Sequence, residues 1–316
     1  MKNREIIAVV GATGAQGGAL ARALLGDPEG RFGVRALTRN PKSENAMQLA
    51  EMGAEVMQAD LDDAESLANA FEGAYGAFCL TNFWEHFSPE KELQQAKNLA
   101  EAAKAVGVKH LIWSTLEDTR EYFPAGDERV PTLMGKYKVP HLDAKGEANR
   151  FFKENGVPTT FLHTSFYWDN LINLGMGPQK GEDGLYYLAL PMADKNLAGI
   201  SVKDIGKCAA GIFKAGKPYI NKSVGIAGEH LTGAEMADKL SRALNQTIHY
   251  QAIPHEVFRG LGFPGADDLG NMFQFFCEFE ESFLQMRDIS FSRELNPQLQ
   301  TFKDWLSENA ARIPLA

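Results

Sequence analysis

The segment Gly11-Ala12-Thr13-Gly14-Ala15-Gln16-Gly17 constrains this chain more than any other. It follows an unbroken apolar run, Ile6 to Val10, and leads into a helical pattern over Ala19 to Leu25. A run without alternation reads as a strand buried on both faces. A glycine-rich turn between such a strand and a helix is the fingerprint of a dinucleotide-phosphate site. Gly11 permits the tight turn, Gly14 lets the backbone approach a pyrophosphate, and Gly17 lets helix and strand pack closely. The helix N-terminus, around Thr13, Ala15 and Gln16, then offers amide donors and a positive dipole end to phosphates.

The rest of the first half repeats this strand–helix rhythm. Strands are expected at Val34–Thr38, Glu55–Ala59, Tyr75–Leu80, His110–Trp113 and Thr159–His163. Helices are expected from Ser43 to Met52, Asp62 to Phe71, Glu90 to Val106 and His141 to Glu154. On the third of these, Leu93, Ala96, Ala100, Ala103 and Val106 share one face. Alternation at this spacing predicts an α/β fold: right-handed crossovers and a Rossmann-type, doubly wound parallel sheet. Residues 117–140 hold three prolines, two glycines and many charges, and read as an exposed loop. The second half is less regular. A hairpin around Gly184, helices at Ser201–Lys214, Thr232–Asn245, Glu256–Leu261, Asp267–Phe279 and Thr301–Asn309, and strands at Ser223–Ala227 and His249–Ala252 suggest a smaller α+β region. The expected division is residues 1–160, joined by strands from 159–163 and 223–227, and residues 164–316.

Composition narrows the function. The chain has 316 residues, with 32 basic and 41 acidic side chains and a net charge of −9. A nucleic-acid binder would carry a basic excess, and no two adjacent residues here are both Lys or Arg. No apolar run approaches the ~20 residues that span a bilayer, and Gly11 interrupts any signal-peptide pattern. Cys79, Cys208 and Cys277 are scattered, so the expectation is three buried thiols in a reducing, cytoplasmic setting. The seven histidines form no HExxH or HxxxH pair, and no metal is expected.

The end of the second strand selects the cofactor. An NAD site places Asp or Glu there, to bond the ribose 2′-hydroxyl. This chain has Thr38-Arg39-Asn40-Pro41-Lys42 instead. An Arg bonds a phosphate in bidentate fashion and a Lys adds a point charge, so NADP(H) is expected, with Arg39 on the 2′-phosphate beside Asn40 and Lys42. Asp60 and Leu61 follow the third strand and suit the adenine, although Asp60, Asp62 and Asp63 suit a helix cap equally. Thr81, Asn82, Phe83 and Trp84 follow the fourth strand, where ligands sit in open sheets, although Phe83 and Trp84 also suit a core. Ser114 ends the fifth strand. Lys145 lies on the next helix, with His141 one turn before it. A short-chain dehydrogenase has Tyr four residues before that Lys as general acid. His141 stands there instead and could serve, its ordinary pKa of ~6.5 suiting neutral pH. Tyr137 lies in the loop, eight residues from the Lys.

The chain resembles the NmrA-like family, an atypical branch of the short-chain dehydrogenases. The likeness rests on GATGAQGG (Gly11–Gly18), LTRNP (Leu37–Pro41), LTNFWE (Leu80–Glu85) and HLDAKGE (His141–Glu147), then GVPTTFLHTSFYWDNL (Gly156–Leu171), LGFPGADDLGNMFQF (Leu261–Phe275) and the Leu-Asn-Pro ending at Pro297. It implies NADP(H) binding by the fingerprint residues, Arg39, the Thr81–Phe83 turn and Lys145. It also implies contacts from Tyr167, Trp168 and Asn170, with Tyr167 near the nicotinamide and Asn170 capping the helix beside it. Members act as redox sensors through protein partners, and cousins are reductases of quinones and other small molecules. The expectation is a sensor, monomer or homodimer, in which the 117–140 loop orders on binding. The alternative is an NADPH-dependent reductase of a quinone, carbonyl or imine, using Ser114, His141 and Lys145, with Phe273, Phe275, Phe276, Phe279 and Phe283 lining a pocket or simply forming helix core. A vestigial structural subunit is the weakest reading, because the phosphate-binding residues are all present.

Overall fold

A computed structural model describes residues 4–315. In the first half the order is β1 (Glu5–Val9), α1 (Ala15–Leu25), β2 (Phe32–Thr38), α2 (Glu44–Glu51), β3 (Glu55–Gln58), α3 (Ala64–Phe71), β4 (Gly76–Cys79), α4 (Pro89–Ala105), β5 (His110–Thr115), α5 (Pro140–Glu154) and β6 (Thr159–His163). There follow β7 (Phe166–Tyr167), α6 (Asn170–Asn173), β8 (Gln179–Lys180), β9 (Tyr186–Leu190), β10 (Asn196–Ile200), α7 (Val202–Ala215), β11 (Ser223–Gly225) and β12 (Glu229–Thr232). The chain ends with α8 (Gly233–Leu244), β13 (Ile248–Ala252), α9 (His255–Arg259), α10 (Ala266–Glu278), α11 (Glu280–Met286), α12 (Ile289–Leu295) and α13 (Phe302–Asn309).

The chain forms two compact units. The first is the chain through Asp118, Ala144–His163 and Val202–Val224; the second is Thr119–Asp143, Thr164–Ser201 and the chain from Gly225 onward. Two segments therefore depart from a single boundary near residue 160. Val202–Val224 belongs with the first unit, where α7 packs on α1. Thr119–Asp143 belongs with the second.

The first unit is built on a seven-stranded sheet in the order β3-β2-β1-β4-β5-β6-β11. All pairings among β1 to β6 are parallel. Strand order reverses between β1 and β4, and a crevice outside the carboxyl ends of such strands is where open α/β sheets take ligands. The core fills as the periodicity requires. Leu99, Ala100 and Ala103 of α4, Leu67 and Phe71 of α3, and Trp113, Phe152 and Phe161 share one buried cluster. The helices begin at the residues that can cap them: Ser43 accepts from the Ala46 amide, Asp63 from Glu65 and Ser66, and Ser88 from Lys91. One start differs from the sequence expectation. The first helix opens at Ala15, a turn before Ala19, because Gly14 already stands as its N-cap.

The second unit carries two three-stranded sheets, β12-β10-β7 and β13-β9-β8. The hairpin at Gly184 is present, as β8 against β9 with Gly184 at φ +81°. Strands β10 and β12 and helices α11 and α12 were not legible in the sequence. Both strands are short, and long-range pairing defines them: β12 antiparallel to β10, and β10 parallel to β7.

The segment 119–139 is the largest correction. Phe123, Val130 and Val139 are fully buried and Tyr137 is 1% exposed, so this loop, exposed at residues 124–126, 131–132 and 134–136, is anchored into the unit at intervals. Asp143, itself buried, accepts from Thr119 through both N (2.7 Å) and Oγ1 (2.5 Å), and from the amides of Lys138 (2.7 Å) and Val139 (3.0 Å). One stripe of α10 fastens the remainder. Asn271 Nδ2 donates to the carbonyls of Pro131 (3.0 Å) and Lys138 (2.6 Å), Gln274 Nε2 donates to that of Arg129 (3.0 Å), and Glu278 pairs with the Arg129 guanidinium. Lys138 is buried too, its Nζ donating to the carbonyls of Asp127 and Val130. A long segment without regular structure is stable here because side chains satisfy its backbone. The Phe273, Phe275, Phe276 and Phe283 side chains are buried among themselves, with Phe276 and Phe283 ring centroids 4.2 Å apart, so they are core; Phe279 is half-buried against Tyr122 and Phe123.

Candidate cofactor site

Within the first unit the glycine segment forms a cradle. Gly11 adopts φ +61°, and its carbonyl accepts the Gly14 amide at 2.9 Å. A Cβ on Gly17 would lie 2.5 Å from the carbonyl oxygens of both Val10 and Gly11, closer than a side chain can come. The N-cap Gly14 has no side chain to satisfy the first-turn amides of α1, a task a phosphate performs. These residues thus fit a pyrophosphate. The turn is fastened to the end of β2: Asn45 Nδ2 donates to the Thr13 carbonyl (3.1 Å), and the Thr13 and Thr38 hydroxyls lie 3.4 Å apart.

The end of β2 shows a group that sequence reasoning missed. Arg39 Nη2 donates to Glu85 Oε1 at 2.8 Å, with both side chains largely exposed. The carboxylate absent from the Thr38–Lys42 segment is therefore supplied by the segment after β4, 46 residues away. Nothing in the local spacing points to it. Asn40 and Lys42 are exposed; Asn40 Oδ1 accepts the Lys42 amide, and the Asn40 amide donates to Thr38 Oγ1. Asp60 is exposed and caps its own turn by accepting the Asp62 amide, and the Leu61 carbonyl accepts from Asn98.

Beyond β4, Thr81 is buried, Asn82 is exposed and Phe83 is 1% exposed, its ring against those of Trp84, His86 and Phe87. The Phe83 ring is core, the second of the two roles its position allowed. Lys145 Nζ donates to the Thr81 carbonyl (2.9 Å), Thr81 Oγ1 (2.9 Å) and Glu92 Oε1 (2.6 Å). Glu92, on α4, is completely buried. Burial by itself would raise its carboxyl. The Lys145 charge and the contacts from His86, Lys145 and Thr81 outweigh that and hold it down at about 2. Sequence reasoning missed Glu92 as well, although a signal existed. Positions 92, 96, 99 and 103 fall on one helical face, and a Glu among Ala and Leu there needs a buried partner. Ser114 Oγ donates to Gln16 Oε1 at 2.8 Å, linking the end of β5 to the fingerprint helix.

The remaining expected residues lie in the second unit. His141 is buried, its Nδ1 2.6 Å from Asp268 Oδ1, and its amide donates to Asp268 Oδ2 at 3.1 Å. The carboxylate thereby orients the imidazole and satisfies an orphan amide of the first turn of α5. Tyr137 is buried and bridged to Leu133. Tyr167 is half-buried on β7. Trp168 is a correction: it is 1% exposed, packed on Phe302 and Trp305, and an added Cβ on Gly199 would touch its Nε1. That indole is core of its own unit. Asn170 is a second correction, since Asp169 holds the cap position of α6 and Asn170 is its first helical residue. Cys79 and Cys208 are buried, whereas Cys277 is half-buried, its thiol pushed up to about 12 by burial. Among the described residues no group of three His, Cys, Asp or Glu side chains is placed to hold a metal, and no helix is long and apolar enough to cross a membrane.

Comparison with known proteins agrees with this architecture. A NmrA-like oxidoreductase of Aspergillus versicolor, notA′, is 33% identical over 256 residues, 75% of this chain and 68% of its own. One from Aspergillus flavus, lnbB, is 27% identical over 288 residues, 86% and 83% respectively. Among solved structures, the negative transcriptional regulator NmrA in complex with NADP aligns with a TM-score of 0.77, 24% identity and coverage of 98% of this chain and 95% of that one. The triphenylmethane reductase of Citrobacter sp., complexed with NADP(H), gives 0.74, 20%, 96% and 99%. The two structures establish the fold. The profile of the NmrA-like family matches residues 3–306, and the chain belongs to that family.

Proposed function

We propose that this chain binds NADP(H) at the switch point of its parallel sheet and uses the bound cofactor to regulate a protein partner. The observation that carries the reading is the glycine cradle beside Arg39, with no general-acid Tyr one turn before Lys145. Gly11, Thr13, Gly14, Ala15, Gln16 and Gly17 hold the pyrophosphate. Arg39, Asn40 and Lys42 hold the 2′-phosphate; Asp60 and Leu61 face the adenine; Thr81, Asn82 and Lys145 hold the nicotinamide ribose. When bound, the nicotinamide supplies or accepts a hydride. The solved NmrA–NADP complex and the name of that protein as a regulator support the reading. A sensor needs two states that bind the cofactor differently. The 119–139 segment is tied down by Asp143 and α10, so the reading rests on the cofactor site and not on a loose loop.

One observation favours reductase chemistry as a second reading. The buried His141–Asp268 pair is an imidazole oriented by a carboxylate, the arrangement a general acid requires. The names of the Aspergillus relatives as oxidoreductases point the same way. NADPH consumption against quinones, aldehydes and imines separates the two. Turnover lost in Lys145→Ala establishes the reductase; saturable NADPH binding without turnover leaves the regulator standing, and a pull-down with and without NADPH then tests for its partner.

A further inference from the structure

We infer that Glu92 is a positioning residue for Lys145, fixing its ammonium beyond β4 so that one N–H can be exchanged from Thr81 to a ribose hydroxyl. The inference rests on the NADP(H) reading above. An ammonium has three donors, and all three are engaged by the chain: the Thr81 carbonyl, Thr81 Oγ1 and Glu92 Oε1. These contacts are not equivalent. Thr81 Oγ1 itself donates to Glu92 Oε1 at 2.6 Å, so the hydroxyl stays satisfied if Lys145 turns away from it. The buried carboxylate, by contrast, would lose the charge that balances it, which the Thr81 hydroxyl cannot replace. The Thr81 hydroxyl is the contact a ligand hydroxyl can replace at least cost, while Glu92 keeps the ammonium in place.

Glu92 is held as firmly as it holds. It is fully buried, and its amide donates to the Ser88 carbonyl at 3.0 Å in the first turn of α4. His86 Nδ1 accepts the Ser88 amide at 3.1 Å, so that nitrogen carries no proton and Nε2 bears the N–H. That Nε2 lies 3.4 Å from Glu92 Oε2 without making a hydrogen bond to it, so His86 flanks the carboxylate and does not fasten it. The first turn of α4 thus fixes the Glu92 backbone, the Thr81 hydroxyl holds its carboxylate, and Glu92 in turn holds Lys145. A carboxylate serving only to neutralise a buried cation would need none of this orientation.

The test is NADPH affinity, by nicotinamide fluorescence, of the wild type, Glu92→Gln, Lys145→Met and the double variant, each checked by thermal melting. Removing one partner of a buried pair costs stability, so the double variant, with no unpaired charge, guards against loss of fold. The expected result is a loss of about tenfold in each single variant, with the double no weaker than Lys145→Met alone, and partial recovery in Glu92→Asp. Losses that multiply in the double variant, or a Glu92→Gln protein that binds like the wild type, overturn the inference and leave the NADP(H) reading intact. A folded wild type that binds no NADPH overturns both.

Discussion

The glycine cradle at residues 11–17 and the segment 119–139 are both irregular backbone between regular elements, yet they are stabilised in opposite ways. The cradle takes its shape from local contacts, Gly11 accepting from Gly14 and Gly17 clearing the carbonyls of Val10 and Gly11, while Asn45 and Thr38 tie Thr13 to the end of β2. The longer segment is held from afar, by Asp143 and by Asn271, Gln274 and Glu278, more than a hundred residues later in chain order for the last three. Chemistry encoded within seven residues is visible in seven residues. A segment whose backbone is satisfied by a distant helix looks like a loop until that helix is in place.

This contrast predicts where substitutions hurt most. Asp143→Ala leaves three amides and a hydroxyl without their acceptor, and at about 1–3 kcal/mol for each orphaned group a loss of roughly 4 kcal/mol is expected. Urea unfolding measures it, and faster hydrogen exchange should appear at Thr119, Lys138 and Val139. A change under 1 kcal/mol would mean that the segment does not depend on its clasp.

Acid stability gives the next largest effect. Burial holds the His110 imidazole down at about 4, its Nε2 on Thr160. A depressed histidine binds fewer protons folded than unfolded, so its contribution is complete above about pH 6.5 and is lost as pH falls toward 4. The loss approaches about 3 kcal/mol at one pKa unit per 1.36 kcal/mol. Glu92 behaves likewise over a lower window, its contribution present above about pH 4.5 and lost toward pH 2. Unfolding free energies from pH 7 to 4 should therefore fall, and His110→Gln should flatten that slope.

Two substitutions sharpen the cradle side. Arg39→Ala should weaken NADPH about thirtyfold and NADH little, as expected for the loss of charge-assisted bonds to a phosphate. Equal losses would remove Arg39 from the 2′-phosphate. Glu85→Gln should raise the preference for NADPH over NADH by only about threefold, because an exposed ion pair is worth little. Parallel titrations with both cofactors measure the ratio, and an unchanged ratio would show that Glu85 does not compete for Arg39.

Much of the fold was legible for the reason the cradle was. Periods of 2 and 3.6, broken by Ser43, Gly53 and Gly156, locate β1 to β6 and their helices because each element buries one face within its own neighbourhood. Strands β10 and β12 were not legible, since they exist through pairing with partners distant in sequence, β12 with β10 and β10 with β7. The candidate site divides in the same way. Gly11 to Gly17, Arg39 and Lys145 were visible in local motifs; Glu85 was not, because its partner is 46 residues distant, and Glu92 showed only as an acid on an apolar helix face, its partner 53 residues away unnamed by any motif. The burial of the Trp168 indole was not legible either, because a motif shows which residues stand near a strand end, not which way a side chain turns.

The central claim is that the first unit binds NADP(H). Titration of the wild type with NADPH and with NADH, followed by nicotinamide fluorescence, tests it most directly. The account predicts saturable, one-site binding, tighter for NADPH than for NADH. Absence of saturable NADPH binding by the folded protein, or equal affinity for the two cofactors, would contradict it.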